Sequence, residues 1–205
     1  MQPRRLAACL FACLLACPGA LPARAETVSK TYSYFGVHGR TLDEIQQQLD
    51  RNGPKLAGTG KRHPGMTRME FKSHVGYRER PGRCEVVEAK VALTAAVILP
   101  RWSQRGAAAD VRFVWETLAA DIRRHEEAHV AIARTYARDL ERQLGRLRPQ
   151  RDCAAARRLV KDTTDGVLAR HDAEQARFDV VEGRNFESRI LRLLDARMKQ
   201  SDARR

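Results

Sequence analysis

The chain of 205 residues is short of cysteine and of acids, and it has no internal repeat or low-complexity tract. Five cysteines occur, three of them (Cys9, Cys13 and Cys17) within the first seventeen residues, so only Cys84 and Cys153 belong to the body of the chain. Two thiols alone cannot make a four-ligand structural zinc site. Beyond residue 25 no stretch is apolar enough to supply the roughly 20 residues that cross a bilayer. Acids number 25 against 38 Lys plus Arg, a formal charge of +13. A charge of that kind bears on solubility and non-specific partners, not on fold. No nucleic-acid reader motif is present and arginines alternate with acids along the helical stretches, so nucleic acid is not an expected partner. With 43% apolar and 31% charged residues the chain can bury a core, which excludes a mostly disordered protein.

Met1 to Ala25 has the layout of a bacterial secretory signal: Arg4 and Arg5 as a positive start, an apolar run from Leu6 to Ala16, and Ala23-Arg24-Ala25 as the cleavage site. Its removal leaves 180 residues and lowers the charge to +10, because three arginines and no acids depart. The expected location is periplasmic or secreted. Leu14-Leu15-Ala16-Cys17 also fits a lipoprotein signal, the alternative in which an acylated cysteine holds the protein on a membrane surface. In an oxidising compartment Cys84 and Cys153 are expected to pair, closing a loop of about 70 residues.

The remaining chain, 26–205, reads as a single α+β domain with a basic C-terminal tail. Thr31 to Val37 suits a strand, with Tyr32 and Tyr34 on one face. Thr41-Leu42-Asp43-Glu44 is a capping box, and Leu42, Ile45 and Leu49 follow at helical spacing until Asn52-Gly53-Pro54. Residues 53–65 form a Gly- and Pro-rich loop. Met69 to Arg78 and Glu85 to Leu99 read as strands joined by a turn at Arg80-Pro81-Gly82, which predicts an antiparallel pair; Val87, Ala89, Val91 and Leu93 mark the buried face. From Asp110 to Leu147 the period changes to that of a long helix, through Val111, Trp115, Leu118, Ile122, Ile132, Tyr136, Leu140 and Leu144. A second helix is expected over Cys153 to Ala176, and a third capped by Asn185 that carries Phe186, Ile190, Leu194 and Met198.

Inside the long helix stands His125-Glu126-Glu127-Ala128-His129, an H-E-x-x-H motif. A helix turns about 100° per residue, so His125 and His129 lie one turn apart on one face and their imidazoles can converge on a metal. Glu126 adjoins that face and can take a proton from a water acidified by zinc as it attacks a carbonyl. Both histidines continue the stripe of Ile122 and Ile132, where imidazoles without a metal or hydrogen-bond partners would be costly to bury. The expected cofactor is Zn2+, with His125 and His129 as ligands and Glu126 as the catalytic base.

Further features carry a resemblance. They are Tyr32-x-Tyr34-x-x-Val37-x-Gly39-x-Thr41-Leu42, then Gly53-Pro54, Cys84, a strand ending Leu99-Pro100-x-Trp102, the H-E-x-x-H helix and Cys153. Over most of residues 30–185 the chain resembles a bacterial secreted family of undefined function that is described as secreted zinc-dependent proteases. The resemblance implies a zincin-like fold, with a small antiparallel sheet packed on the long helix and further C-terminal helices, and it implies hydrolysis of a peptide or amide bond in a peptide or protein substrate. It also implies an aromatic-Asp pair followed by His-Gly. Phe178-Asp179 fits the first, whereas Arg184-Asn185 stands in place of the second.

The third ligand is left open by the residues. His171, Glu174, Asp179 and Glu182 are candidates: Asp179 is favoured by the family position and His171 by its chemistry. No G-x-x-H follows His129, which excludes the metzincin ligand set. The alternative function is a non-catalytic envelope protein of the same fold with a degenerate or purely structural metal site. An extended peptide is expected to pair with an edge of the strand over Glu85 to Leu99. The basic excess is local, +7 over residues 51–83 and +4 over 184–205, and suits an anionic envelope surface.

Overall fold

The computed structural model describes residues 28–56 and 60–203; the expected signal and Cys17 lie outside them. Three strands and three helices follow in the order β1 (Val28–Val37), α1 (Leu42–Asn52), β2 (Met66–Arg80), β3 (Arg83–Trp102), α2 (Ala109–Leu144) and α3 (Cys153–Asp202). The architecture is α+β, as expected. Among the described residues no helix is long and apolar enough to cross a membrane.

The sheet is mixed, not antiparallel, with β3 in the centre. β2 and β3 form the expected hairpin, Arg80 facing Arg83 across Pro81-Gly82, where Gly82 takes a φ of 69° open to glycine. β1 runs parallel to β3, Val28 beside Leu93 and Val37 beside Trp102. No tight turn joins these two strands; α1, a loop and β2 intervene, so the hairpin reading could not fix the direction of β1. Because β3 is central, the edge expected on it for a peptide is already occupied on both sides.

From Ala89 to Leu99 every second residue of β3 is buried, the period of a strand with one covered face. Val87, expected on that face, is 46% exposed. The pairing shifts between Gly76 and Tyr77, which face Glu88 and Val86, so Val87 is an extra residue whose bulge reverses the sides. Cys84 and Val86 then bring the opposite parity inward.

The covered face packs on α2, where Leu93 and its neighbours meet Ala133, Ala137, Leu140 and Leu144, and Val97 and Leu99 meet Ile122 and Val130. α1 docks Ile45 and Leu49 against Val37 and Trp115, and its capping box is present, Thr41 Oγ1 accepting from Glu44 N at 3.2 Å. α2 ends at Leu144 with Gly145 as its cap, earlier than the proline at 149 would require.

α3 is one continuous helix of 50 residues where two were expected. Asp152 caps it through Ala155 N at 2.7 Å, and no proline follows Pro149. Asn185 starts no new helix, since its side chain donates back to the carbonyl of Val181, one turn earlier. Contacts of Arg189 with Asp121 and of Arg197 with Thr117 show that α3 runs antiparallel to α2. The α2–α3 connection is stapled to the hairpin by Cys84–Cys153, with a Cα separation of 5.0 Å, and by reciprocal backbone bonds between Cys84 and Gln150.

Candidate metal centre

The buried stripe of α2 runs through Ile122, Glu126, Val130 and Ala133. Glu126 therefore occupies the stripe, only 4% exposed, and the two histidines flank it toward α3. This corrects the placement of His125 and His129 on the stripe itself: a residue one step along a helix is turned by about 100°, and the sheet has claimed the adjacent face. The Thr67 hydroxyl donates to Glu126 Oε2 at 2.8 Å. A Cβ at Gly65 would lie 2.6 Å from Glu126 Oε1, so the start of β2 clasps this carboxylate from both sides. Burial pushes Glu126 above the usual carboxylate range, against the bond from Thr67 and the nearby imidazoles.

His125 and His129 converge with Asp179. The Nε2 atoms of the imidazoles are 3.1 Å apart, and Asp179 Oδ1 is 3.3 Å from the first and 3.0 Å from the second. Burial acts to raise the pKa of Asp179, but its bonds with His125 and His129 prevail and hold the carboxyl well below the usual range. For His129 burial acts downward and is overcome by Asp179 and Gln175, so its pKa is raised.

The other ring nitrogens are tethered. Gln175 Nε2 donates to the His129 carbonyl at 3.1 Å and lies 2.9 Å from His171 Nε2, which turns its Oε1 toward His129 Nδ1 at 2.6 Å. With Gln175 Oε1 accepting from His129 Nδ1, Nε2 is the ring nitrogen turned toward Asp179. His125 Nδ1 faces Glu182 at 3.6 Å. Phe178 stacks on His125 at 5.1 Å and meets His129 edge-on at 5.0 Å, so the Phe178-Asp179 pair buttresses both rings and supplies the converging oxygen.

The four third-ligand candidates now separate. Asp179 joins the two histidines in a group able to hold a metal ion. His171 does not; it is 5% exposed, bonds Asp172 at 2.9 Å and reaches His129 only through Gln175. Glu182 lies behind His125 and pairs with Arg124 and Arg189. Glu174 turns away to Arg177. Sequence reasoning missed Gln175, although His171, Gln175, Asp179 and Glu182 form a polar stripe at steps of four, four and three on α3. It also missed Gly65 and Thr67, for which no local signal exists.

A cleft opens beside this group, bordered by His63 and Pro64 on one side and by Asp179 and Gly183 on the other. The loop bearing His63 is pinned by Arg62, which donates to Gly53 O at 2.6 Å, and by His63 N donating to Pro54 O at 3.0 Å. A Cβ on Gly53 would sit 2.2 Å from the His63 carbonyl, which gives the Gly53-Pro54 pair its reason. Burial lowers the pKa of His63 against the attraction of Asp179, keeping the ring neutral at pH 7.

A family profile described as bacterial protein of unknown function (DUF922) matches residues 32–186. The chain belongs to the DUF922 family. The DUF922 region takes in His63, the H-E-x-x-H helix, Gln175, Asp179 and Glu182, and ends at Phe186, before Arg189. Comparison with curated proteins and with solved structures gave no match.

Proposed function

We propose that this DUF922 protein is a secreted zinc-dependent metallopeptidase of zincin-like fold, with His125, His129 and Asp179 as zinc ligands and Glu126 as general base. One observation carries the reading: three donor atoms of a His, His, Asp set lie within 3.0–3.3 Å of one another. In tetrahedral zinc sites with bonds of 2.0–2.1 Å, ligand atoms stand about 3.3 Å apart. Three protein ligands with an open fourth position are the arrangement of catalytic zinc. The tether from Gln175 adds support, because it holds the His129 ring by Nδ1 and so aims Nε2 at the point where the three donor atoms converge, the way a partner of the second ring nitrogen orients a metal-binding histidine.

Zinc bound here supplies Lewis acidity that polarises a carbonyl and acidifies water. Glu126, raised by burial and steered by Thr67, accepts the proton from the attacking water and returns it to the leaving amine. His63 presents a neutral N–H to the same cleft as a hydrogen-bond donor for substrate. Of the sheet's two outer edges, on β1 and β2, that of β2, whose Thr67 bonds Glu126, is the proposed one for an extended peptide. Export fits the Cys84–Cys153 disulfide, and the basic segments 51–83 and 184–205 are the proposed contacts with anionic envelope material.

The test is zinc content together with hydrolysis of an unfolded protein such as reduced casein. The reading expects about one zinc per chain, lost in His125→Ala, and a Glu126→Gln variant that keeps zinc but loses hydrolysis. Glu126→Gln with full hydrolysis would refute the assignment of the base. A protein that binds zinc stoichiometrically yet cleaves nothing would favour the non-catalytic envelope alternative.

A further inference from the structure

The cleft beside the metal ligands has a chemistry of its own. Apart from the ligands, its walls include Pro64, Ile122, Gly183 and Phe186, and its volume is about 250 Å³. Clefts that enclose a drug-sized molecule have about 300–1,000 Å³, so this one fits a single side chain and not a whole substrate. Gly183 leaves the α3 wall open, since a Cβ there would meet nothing within 4 Å. Phe186, 44% exposed, lines the cleft one turn further along the same helix.

Apart from Glu126, the general base, the charges in the lining are already matched. Asp121, 4% exposed, holds Arg189 at 3.0 Å and Arg124 at 2.9 Å. Glu182 meets Arg189 at 3.3 Å as well as Arg124, and Asp179 faces the two imidazoles. An acidic side chain entering the cleft would lose hydration and find Arg189 already paired, and a basic one would find only Glu126, which the reaction needs as its base, whereas an apolar one would gain contact with Ile122, Pro64 and Phe186.

We propose that this cleft is a specificity pocket that admits one uncharged, apolar side chain of about leucine size next to the bond to be cut. The proposal rests on the metallopeptidase reading. It assigns Gly183 the role of keeping the pocket deep and Phe186 that of an apolar wall.

The experiment uses the zinc-loaded mature chain and three probes that share a metal-chelating head group: leucine, alanine and aspartate hydroxamate, with binding followed by calorimetry. Leucine hydroxamate has three more carbons than the alanine compound, and at about 0.8 kcal/mol per buried CH2 it is expected to bind about 10- to 60-fold more tightly. Aspartate hydroxamate is expected to bind no better than the alanine compound. Gly183→Leu should fill the pocket and reduce the leucine-to-alanine ratio below about threefold at unchanged zinc content. Phe186→Ala should lower the same ratio by removing a wall. Equal binding of leucine and alanine hydroxamate by protein holding one zinc would overturn the pocket and leave the metal site standing, as would tight binding of the aspartate compound. Failure to hold zinc or any hydroxamate would overturn the metallopeptidase reading and the pocket with it.

Discussion

Replacing Gly65 by alanine tests whether β2 clasps Glu126. The added Cβ would lie 2.6 Å from Glu126 Oε1, 2.9 Å from Ile122 Cγ2 and 3.0 Å from Glu126 Cγ. Gly65 is not among the glycines with positive φ, so space, not backbone conformation, is what alanine violates there. Glu126 must yield, and it is 4% exposed with its other oxygen 2.8 Å from Thr67. Overpacking of a buried site costs about 1–3 kcal/mol, and losing the charged bond to Thr67 adds about 1.5–3 kcal/mol if the carboxylate swings out. Against this stands a gain of about 0.4–1 kcal/mol from restricting the unfolded chain. With both costs a net loss of about 1.5–5.5 kcal/mol follows, which for a chain of this size lowers Tm by about 2–4 °C per kcal/mol. Gly183→Ala is the matched control: it lies inside α3 with nothing within 4 Å of its Cβ and should stabilise by about 1 kcal/mol. The assay is thermal unfolding of parent and both variants at equal zinc content. A Gly65→Ala protein as stable as the parent would refute the clasp, and so would a loss of equal size in both variants.

Three further outcomes follow from the same contacts. The disulfide of Cys84 and Cys153, 69 residues apart, contributes about 4 kcal/mol by loop closure; urea unfolding of a Cys84→Ala, Cys153→Ala double variant should show most of that loss, and an unchanged midpoint would contradict it. Hydrogen bonds from Arg189 and Arg124 overcome burial and keep Asp121 below the ordinary aspartate value, so its contribution is complete above about pH 4 and lost as pH falls through the lower folded value. Urea titrations between pH 6 and pH 2 should therefore show a steeper acid loss in the parent than in Asp121→Asn, and identical slopes would count against the clamp. Gln175→Leu should weaken zinc binding about 10- to 100-fold in chelator competition, while Gln175→Glu, which keeps an acceptor for His129 Nδ1, should retain affinity; equal affinity of all three proteins would remove the tether from the account.

Much of the architecture was legible because period and capping are local. Thr41 to Glu44 announced α1, the β2–β3 hairpin was written in Pro81-Gly82, and the long period of α2 surrounded the H-E-x-x-H motif. What was not legible depended on partners distant in sequence. The direction of β1 is set by its pairing with β3, about 65 positions away, and the exposure of Val87 by a bulge whose cause lies in the register with β2. The break anticipated at Asn185 relied on its capping preference, and that side chain instead bonds its own helix. For the site, His125, His129 and Asp179 were nameable from motif and resemblance, but choosing Asp179 over His171 required knowing that Gln175 fills the space between His171 and His129. The supports at Gly65 and Thr67 come from β2, and no spacing along the chain links them to Glu126.

The most direct measurement of the central claim is zinc-edge X-ray absorption on the mature protein loaded with one zinc per chain, compared with Asp179→Ala. The account predicts two imidazole ligands at about 2.0 Å with a carboxylate oxygen beside them in the parent, and loss of that oxygen with weaker binding in the variant. A ligand set unaffected by Asp179→Ala, or a spectrum without two imidazoles, would contradict it.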